Sequence, residues 1–146
     1  MDPLQFLVPL DWLTVVGPML PFAILVMAVA NLATRHVQHK RHVDQGRTGD
    51  DVDRFTPHAF TNIGLVLLTF LYTLQAPVGG TILGVLVVTM LIADLFELEA
   101  RSVEARNDMP IEAPKSAIVA SALVVLYAAY YALFFLVDDL VGAIIA

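Results

Sequence analysis

The chain has 146 residues, 58% of them hydrophobic and only 15% charged, a composition that lies outside water-soluble domains and suits lipid as the solvent. It has no cysteine, which excludes disulfides, thiolate metal sites and cysteine nucleophiles. The net charge is −6, and acids match bases in both hydrophilic loops, so a basic tract for a nucleic-acid partner is excluded.

Residues 1–11 (MDPLQFLVPLD) are apolar but too short to span a ~30 Å hydrocarbon core, and Pro3 and Pro9 interrupt them. A short interfacial segment is expected there. No Lys or Arg precedes Arg35, so the basic region of a cleaved signal is lacking and the first apolar stretch is expected to be retained. Uncharged runs then cover 12–34, 55–93 (interrupted only by His58) and 116–137. Each exceeds the roughly 20 helical residues that a crossing needs. The middle run is too long for one helix and contains Gln75-Ala76-Pro77-Val78-Gly79-Gly80, where Pro lacks a donor and two Gly weaken a helix. It reads as a helical hairpin.

The expected fold is all-α, a four-transmembrane-helix bundle forming a single integral membrane domain over 1–146. The spans fall at about 18–34, 59–74, 80–98 and 116–137, with charged cytoplasmic loops at about 35–58 and 99–115. Pro18 and Pro21 sit early in the first span, where missing backbone donors cost least.

All eight basic residues fall in the first and third connections, whereas Asp2, Asp11, Asp138 and Asp139 lie on the other side. The positive-inside bias then predicts a multi-pass protein of the cell membrane with both termini outside. Trp12, Tyr72, Tyr130, Tyr131, Phe134 and Phe135 fall near the outer interface of that frame, where amphipathic rings are favoured.

Two halves of the chain share a pattern, which raises two parallel helical-hairpin repeats. Arg35-His36-Val37-Gln38-His39-Lys40 matches Arg101-Ser102-Val103-Glu104-Ala105-Arg106, and Ala30-Asn31-Leu32 matches Ala93-Asp94-Leu95. The plainer explanation is that any cytoplasmic loop between spans collects Arg, Val and Pro.

Asp94 follows an unbroken apolar run and is followed by further helix-compatible sequence, which makes it the leading candidate for a functional polar residue. The 16 residues 78–93 reach only about 24 Å, so Asp94 is expected near the inner headgroups. With Glu97, Arg101, Glu104 and Asp108 it forms a stripe expected on a helix leaving the bilayer for water. On that reading Asp94→Asn costs about 1 kcal/mol or less; the competing reading is a proton- or ion-handling site. Asn31 and Asn62 are candidates for a hydrogen bond across the first hairpin. Gly80 and Gly84, Ser116 and Ala120, and Ala117 and Ser121 have the small-xxx-small spacing that lets helices approach.

His36, His39 and His42 recur every third residue, but neighbouring Arg35, Lys40 and Arg41 repel a cation, so contact with anionic headgroups is preferred over metal. No catalytic triad, paired intramembrane carboxylates, phosphate loop or haem-ligand pair stands in the spans. No catalytic residue, cofactor site or metal site is assigned.

The opening Leu4-Gln5-Phe6-Leu7-Val8-Pro9-Leu10-Asp11-Trp12, the segment Phe96-Glu97-Leu98-Glu99-Ala100-Arg101-Ser102-Val103-Glu104-Ala105-Arg106 and the acidic loops resemble small uncharacterised integral membrane proteins of haloarchaea. The resemblance implies a halophilic archaeal membrane and no catalytic residues. The expected function is that of a non-enzymatic accessory or scaffold subunit, with the lipid bilayer and a membrane protein or a second copy as partners. The alternative is an oligomeric small transporter or channel using Asp94.

Overall fold

The computed structural model describes residues 12, 15–49, 53–111 and 113–145, at 135–137 the backbone alone. The expected interfacial segment 1–11, the acids at 50 and 51 and the Phe135 side chain lie outside the described residues. A 3-10 turn, Gly17–Met19, leads into α1 (Leu20–Thr48), followed by α2 (Thr56–Gln75), α3 (Pro77–Arg106) and α4 (Lys115–Ile145). The fold is an all-α four-helix bundle, each helix long and apolar enough to cross a membrane.

Proline opens the helices where its missing donor is harmless: the 3-10 turn, α1, α2 and α3 all carry Pro in their first two positions. Pro77 is therefore a helix start and not a loop residue, so α3 begins three residues before the expected 80 and a single residue, Ala76, joins it to α2. At the other end, α1 does not stop where its apolar run does. Residues 35–48, expected as loop, continue the helix until Gly49 takes the left-handed conformation (φ 79°) that closes it. Its 29 residues extend about 43 Å, well beyond a ~30 Å hydrocarbon core.

The helices close a ring in which α1 meets α2 and α4, α3 meets the same two, and α1 touches α3 diagonally. The tight α2–α3 link depends on Gly80, where a Cβ would lie 2.3 Å from the Thr73 Cα. Gly84 has nothing within 4 Å of such a Cβ, so the two glycines of the expected motif do different work. Ala117 and Ser121 face inward on α4, whereas Ser116 is exposed. Tyr72 is a core residue packed on Tyr131 (centroids 5.9 Å apart) rather than an interfacial ring, and Tyr131 stacks edge-on with Tyr130.

Buried residues recur at intervals of three and four along each helix, the period of a packed bundle seam. At the end holding the α2–α3 turn the seam is apolar: Leu20, Ile24 and Ala28 meet Leu65, Leu83, Val87 and Val124. Toward the other end the same seam turns polar, with Asn31, Arg35, Gln38 and His42 on α1, and His58 and Thr61 on α2. The outer faces carry Val26, Phe60, Leu67, Phe70, Val85, Ile92 and Leu126 in exposed positions. Polar side chains inside and large apolar ones outside is the distribution that suits a surrounding lipid phase, since water would favour the reverse.

Candidate functional site

The polar part of the seam converges on Asp94, which is 11% exposed at its side chain, while the facing Arg35 is 2% exposed. Arg35 reaches from α1 with two prongs, Nη1 donating to Asp94 Oδ1 and Nη2 to Oδ2 at 3.1 Å. From α2, Asn62 Nδ2 donates to Asp94 Oδ2 at 3.1 Å, and His58 Nε2 lies 3.2 Å from the same oxygen. An ionised carboxylate only accepts, so His58 presents Nε2–H. Three of the four donors thus converge on Oδ2, and Oδ1 takes Arg35 Nη1.

A second layer holds these donors in place. Asn31 accepts from Arg35 Nη2 at 2.9 Å and donates through Nδ2 to Asn62 Oδ1 at 2.7 Å and Thr61 Oγ1 at 2.9 Å. Thr34 Oγ1 stands 2.9 Å from His58 Nδ1 and 3.0 Å from the Asn31 carbonyl. With Nε2–H directed at Asp94, the Nδ1 lone pair is the acceptor that the Thr34 hydroxyl faces. Two further acceptors stand within reach of that hydroxyl, the Asn31 carbonyl and Thr61 Oγ1 at 3.2 Å. Asn31, Asn62 and Asp94, singled out from the sequence, are therefore brought together, and α1, α2 and α3 are tied at one level.

Two helical turns further from the apolar core, His42 fills the space between α1, α3 and the linker. Its Nε2 donates to the Asp53 carbonyl at 2.6 Å, and Nδ1 accepts from Arg101 Nη1 at 2.9 Å. Both side chains are buried. Asp53 is in turn held by a two-pronged pair with Arg41 at 2.8 and 3.2 Å and by Gln45 at 2.9 Å. This corrects two expectations. Arg101 is not on a solvated exit stripe with Asp94; it points inward, because α3 continues beside the extended α1. Nor do the histidines form one surface set: His36 is exposed, whereas His42 and His58 are enclosed in different clusters.

Two open crevices flank the cluster. One, of about 200 Å³ between α2 and α3, is lined by Gln38, Arg54, His58, Asn62 and Asp94 with apolar walls from Ile63 and Leu95. The other, of about 410 Å³ between α1 and α4, is lined by Leu32, Arg35, His36, His39, Pro114 and Ile118. Among the described residues no three His, Asp or Glu side chains converge to hold a metal ion.

The paired repeat is not carried into a common register by these contacts. Arg35 follows Asn31 by four residues and bonds to it, whereas Arg101 follows Asp94 by seven and bonds to His42. Sequence reasoning missed Arg35 and His58 as partners of Asp94, and Thr34 and Thr61 as the side chains that hold Asn31 and His58 behind it. The signal was available: the spacing Leu20, Ile24, Ala28, Asn31 continues to Arg35, and Tyr72, Thr69, Leu65 continues back to Thr61 and His58.

The chain belongs to the family described as "Domain of unknown function (DUF7313)", which matches residues 2–145. No curated protein and no solved structure matches it.

Proposed function

We propose that this member of the DUF7313 family is a non-enzymatic accessory or scaffold subunit in the cell membrane, with both termini outside and a polar clamp at its cytoplasmic end. The observation that carries the reading is the engagement of Asp94 by two other helices. Arg35 bridges both its oxygens, so a cation in transit would have to compete with a buried guanidinium, and His58 and Asn62 add donors to Oδ2 from a second helix. A carboxylate used in this way fixes helix positions. The orientation rests on Arg35, Lys40, Arg41, Arg47, Arg54, Arg101, Arg106 and Lys115, which gather at the end of the bundle where α1 and α3 finish.

The test is purification in mild detergent at high salt, followed by identification of what remains bound in fixed stoichiometry. A defined membrane-protein partner, whose assembly fails when this chain is deleted, supports the accessory reading. A lone homo-oligomer that carries proton or cation flux in proteoliposomes, lost in Asp94→Asn, overturns it. Orientation is tested separately: an impermeant reagent should label a tag at Ala146 in intact cells and spare Thr48→Cys.

The transporter is kept as a second reading because the α2–α3 crevice brings Asp94, His58 and Asn62 to an open surface. It requires an oligomer, since four short spans alone enclose little.

A further inference from the structure

The α1–α4 crevice combines features that the clamp does not use. Arg35 and His39 both line it, and both hold a buried nitrogen, Arg35 Nε and His39 Nδ1, with no hydrogen-bond partner among the described residues. Arg35 spends its two terminal nitrogens on Asp94 across the bundle and on Asn31 one turn back in its own helix, which leaves Nε as a charged donor with no partner among the described residues. An orphaned buried donor is costly, and more so on a charged group, so an acceptor on this side would be stabilising. The polar lining has no acid: it consists of Arg35, His36 and His39. The remaining walls, Leu32, Pro114 and Ile118, are apolar. The crevice opens where the uncharged run of α1 ends and α4 begins, which is headgroup depth if these helices cross a bilayer.

Donors without acceptors beside an apolar trough fit one class of ligand, an oxyanion carried on a hydrocarbon chain. We propose that the α1–α4 crevice is a binding site for an anionic phospholipid of the inner leaflet. Its phosphate accepts from Arg35 Nε and His39 Nδ1–H, His36 stands at the mouth, and an acyl or alkyl chain runs along Leu32 and Ile118. The inference rests on the membrane placement proposed above. It joins the lipid to the clamp through one residue, since Arg35 would hold Asp94 with one edge of its guanidinium and the phosphate with the other.

The experiment measures thermal unfolding of the full chain in an uncharged maltoside detergent with added dihexanoyl phosphatidylglycerol, dihexanoyl phosphatidylcholine or glycerol 3-phosphate. Wild type should show saturable protection by the phosphatidylglycerol, with at least tenfold weaker effect from the other two. Arg35 is unsuitable for substitution because it also holds the clamp, so the variants are His39→Leu, which removes a donor, and Ile118→Trp, which fills the trough from α4. Each should weaken the phosphatidylglycerol effect tenfold or more while unfolding near the wild-type temperature without lipid. Wild-type affinity in His39→Leu overturns the proposal, and that variant keeps the test decisive if Ile118→Trp does not fold. Equal protection by glycerol 3-phosphate would make this a site for free phosphate and overturn the lipid assignment. Failure of the underlying placement has a different signature: a chain released from membranes by alkaline carbonate sinks the membrane reading, whereas one that stays and shows no saturable protection sinks only the site.

Discussion

Arg35 on α1 and Asp94 on α3, 59 residues apart, form a two-pronged ion pair inside the bundle. Burial reverses the expectation of a weak, solvated acid. Removing one partner leaves the other charge enclosed without compensation, which costs about 3–5 kcal/mol, whereas replacing both with apolar residues of similar volume is often close to neutral. Asp94→Leu should therefore destabilise strongly, and Arg35→Met combined with Asp94→Leu should recover most of the loss. Reversible unfolding of the four members of this cycle in detergent provides the check; equal stability of Asp94→Leu and wild type would show that the pair is solvated after all.

Asn62 links the pair to the rest of the cluster, since its amide donates to Asp94 and its carbonyl accepts from Asn31. Asn62→Leu removes both bonds but leaves Asp94 with Arg35 and His58. Interhelical hydrogen bonds in membranes contribute about 0.6–2 kcal/mol, and a loss of that size is expected, smaller than for Asp94→Leu. The same unfolding measurement ranks the two, and a larger loss for Asn62→Leu would make the amide network, not the ion pair, the principal tie.

The helices and their order were legible because hydropathy and proline placement act locally. The cluster was only partly legible. Asn31, Asn62 and Asp94 stood out as polar groups at the ends of apolar runs, but Arg35, His42 and Arg101 looked like ordinary basic exits. Their burial depends on α1 and α3 continuing as paired helices past the apolar stretch, a tertiary circumstance that residue type does not encode. The periodic spacing through Asn31 to Arg35 was the one local trace of it.

Outside the spans, Asp53 makes its two-pronged pair with Arg41 while both remain about half exposed. Hydrogen bonds from Arg41 and then Gln45 hold its carboxyl below the ordinary value of 3.8. A carboxyl with a depressed folded value contributes stability above its unfolded value and loses it as pH falls through the folded one. The hold of Arg41 and Gln45 on Asp53 should therefore be unaffected near neutrality and weaken only in acid. A carboxyl-carbon NMR titration should place the Asp53 midpoint below 3.8, and Arg41→Gln should raise it. An unchanged midpoint in Arg41→Gln would mean that solvent and salt screen the pair completely.

Gly80 and Gly84 give opposite outcomes for the same substitution. At Gly80 the added methyl would meet Thr73 backbone atoms, Cα at 2.3 Å and N at 2.5 Å, and neither is the movable end of a side chain. The helices must separate next to a one-residue link, so Gly80→Ala should cost about 1–3 kcal/mol, the range for overpacked sites. At Gly84 the methyl enters open space, and helix propensity alone acts, favouring Ala by roughly 0.5–1 kcal/mol. Gly84→Ala should thus match or exceed wild type in thermal unfolding while Gly80→Ala falls below it. If Gly84→Ala instead disrupts a homo-oligomer seen by size-exclusion chromatography with light scattering, its open face is a contact between copies of the chain, and the oligomeric reading gains over the accessory one.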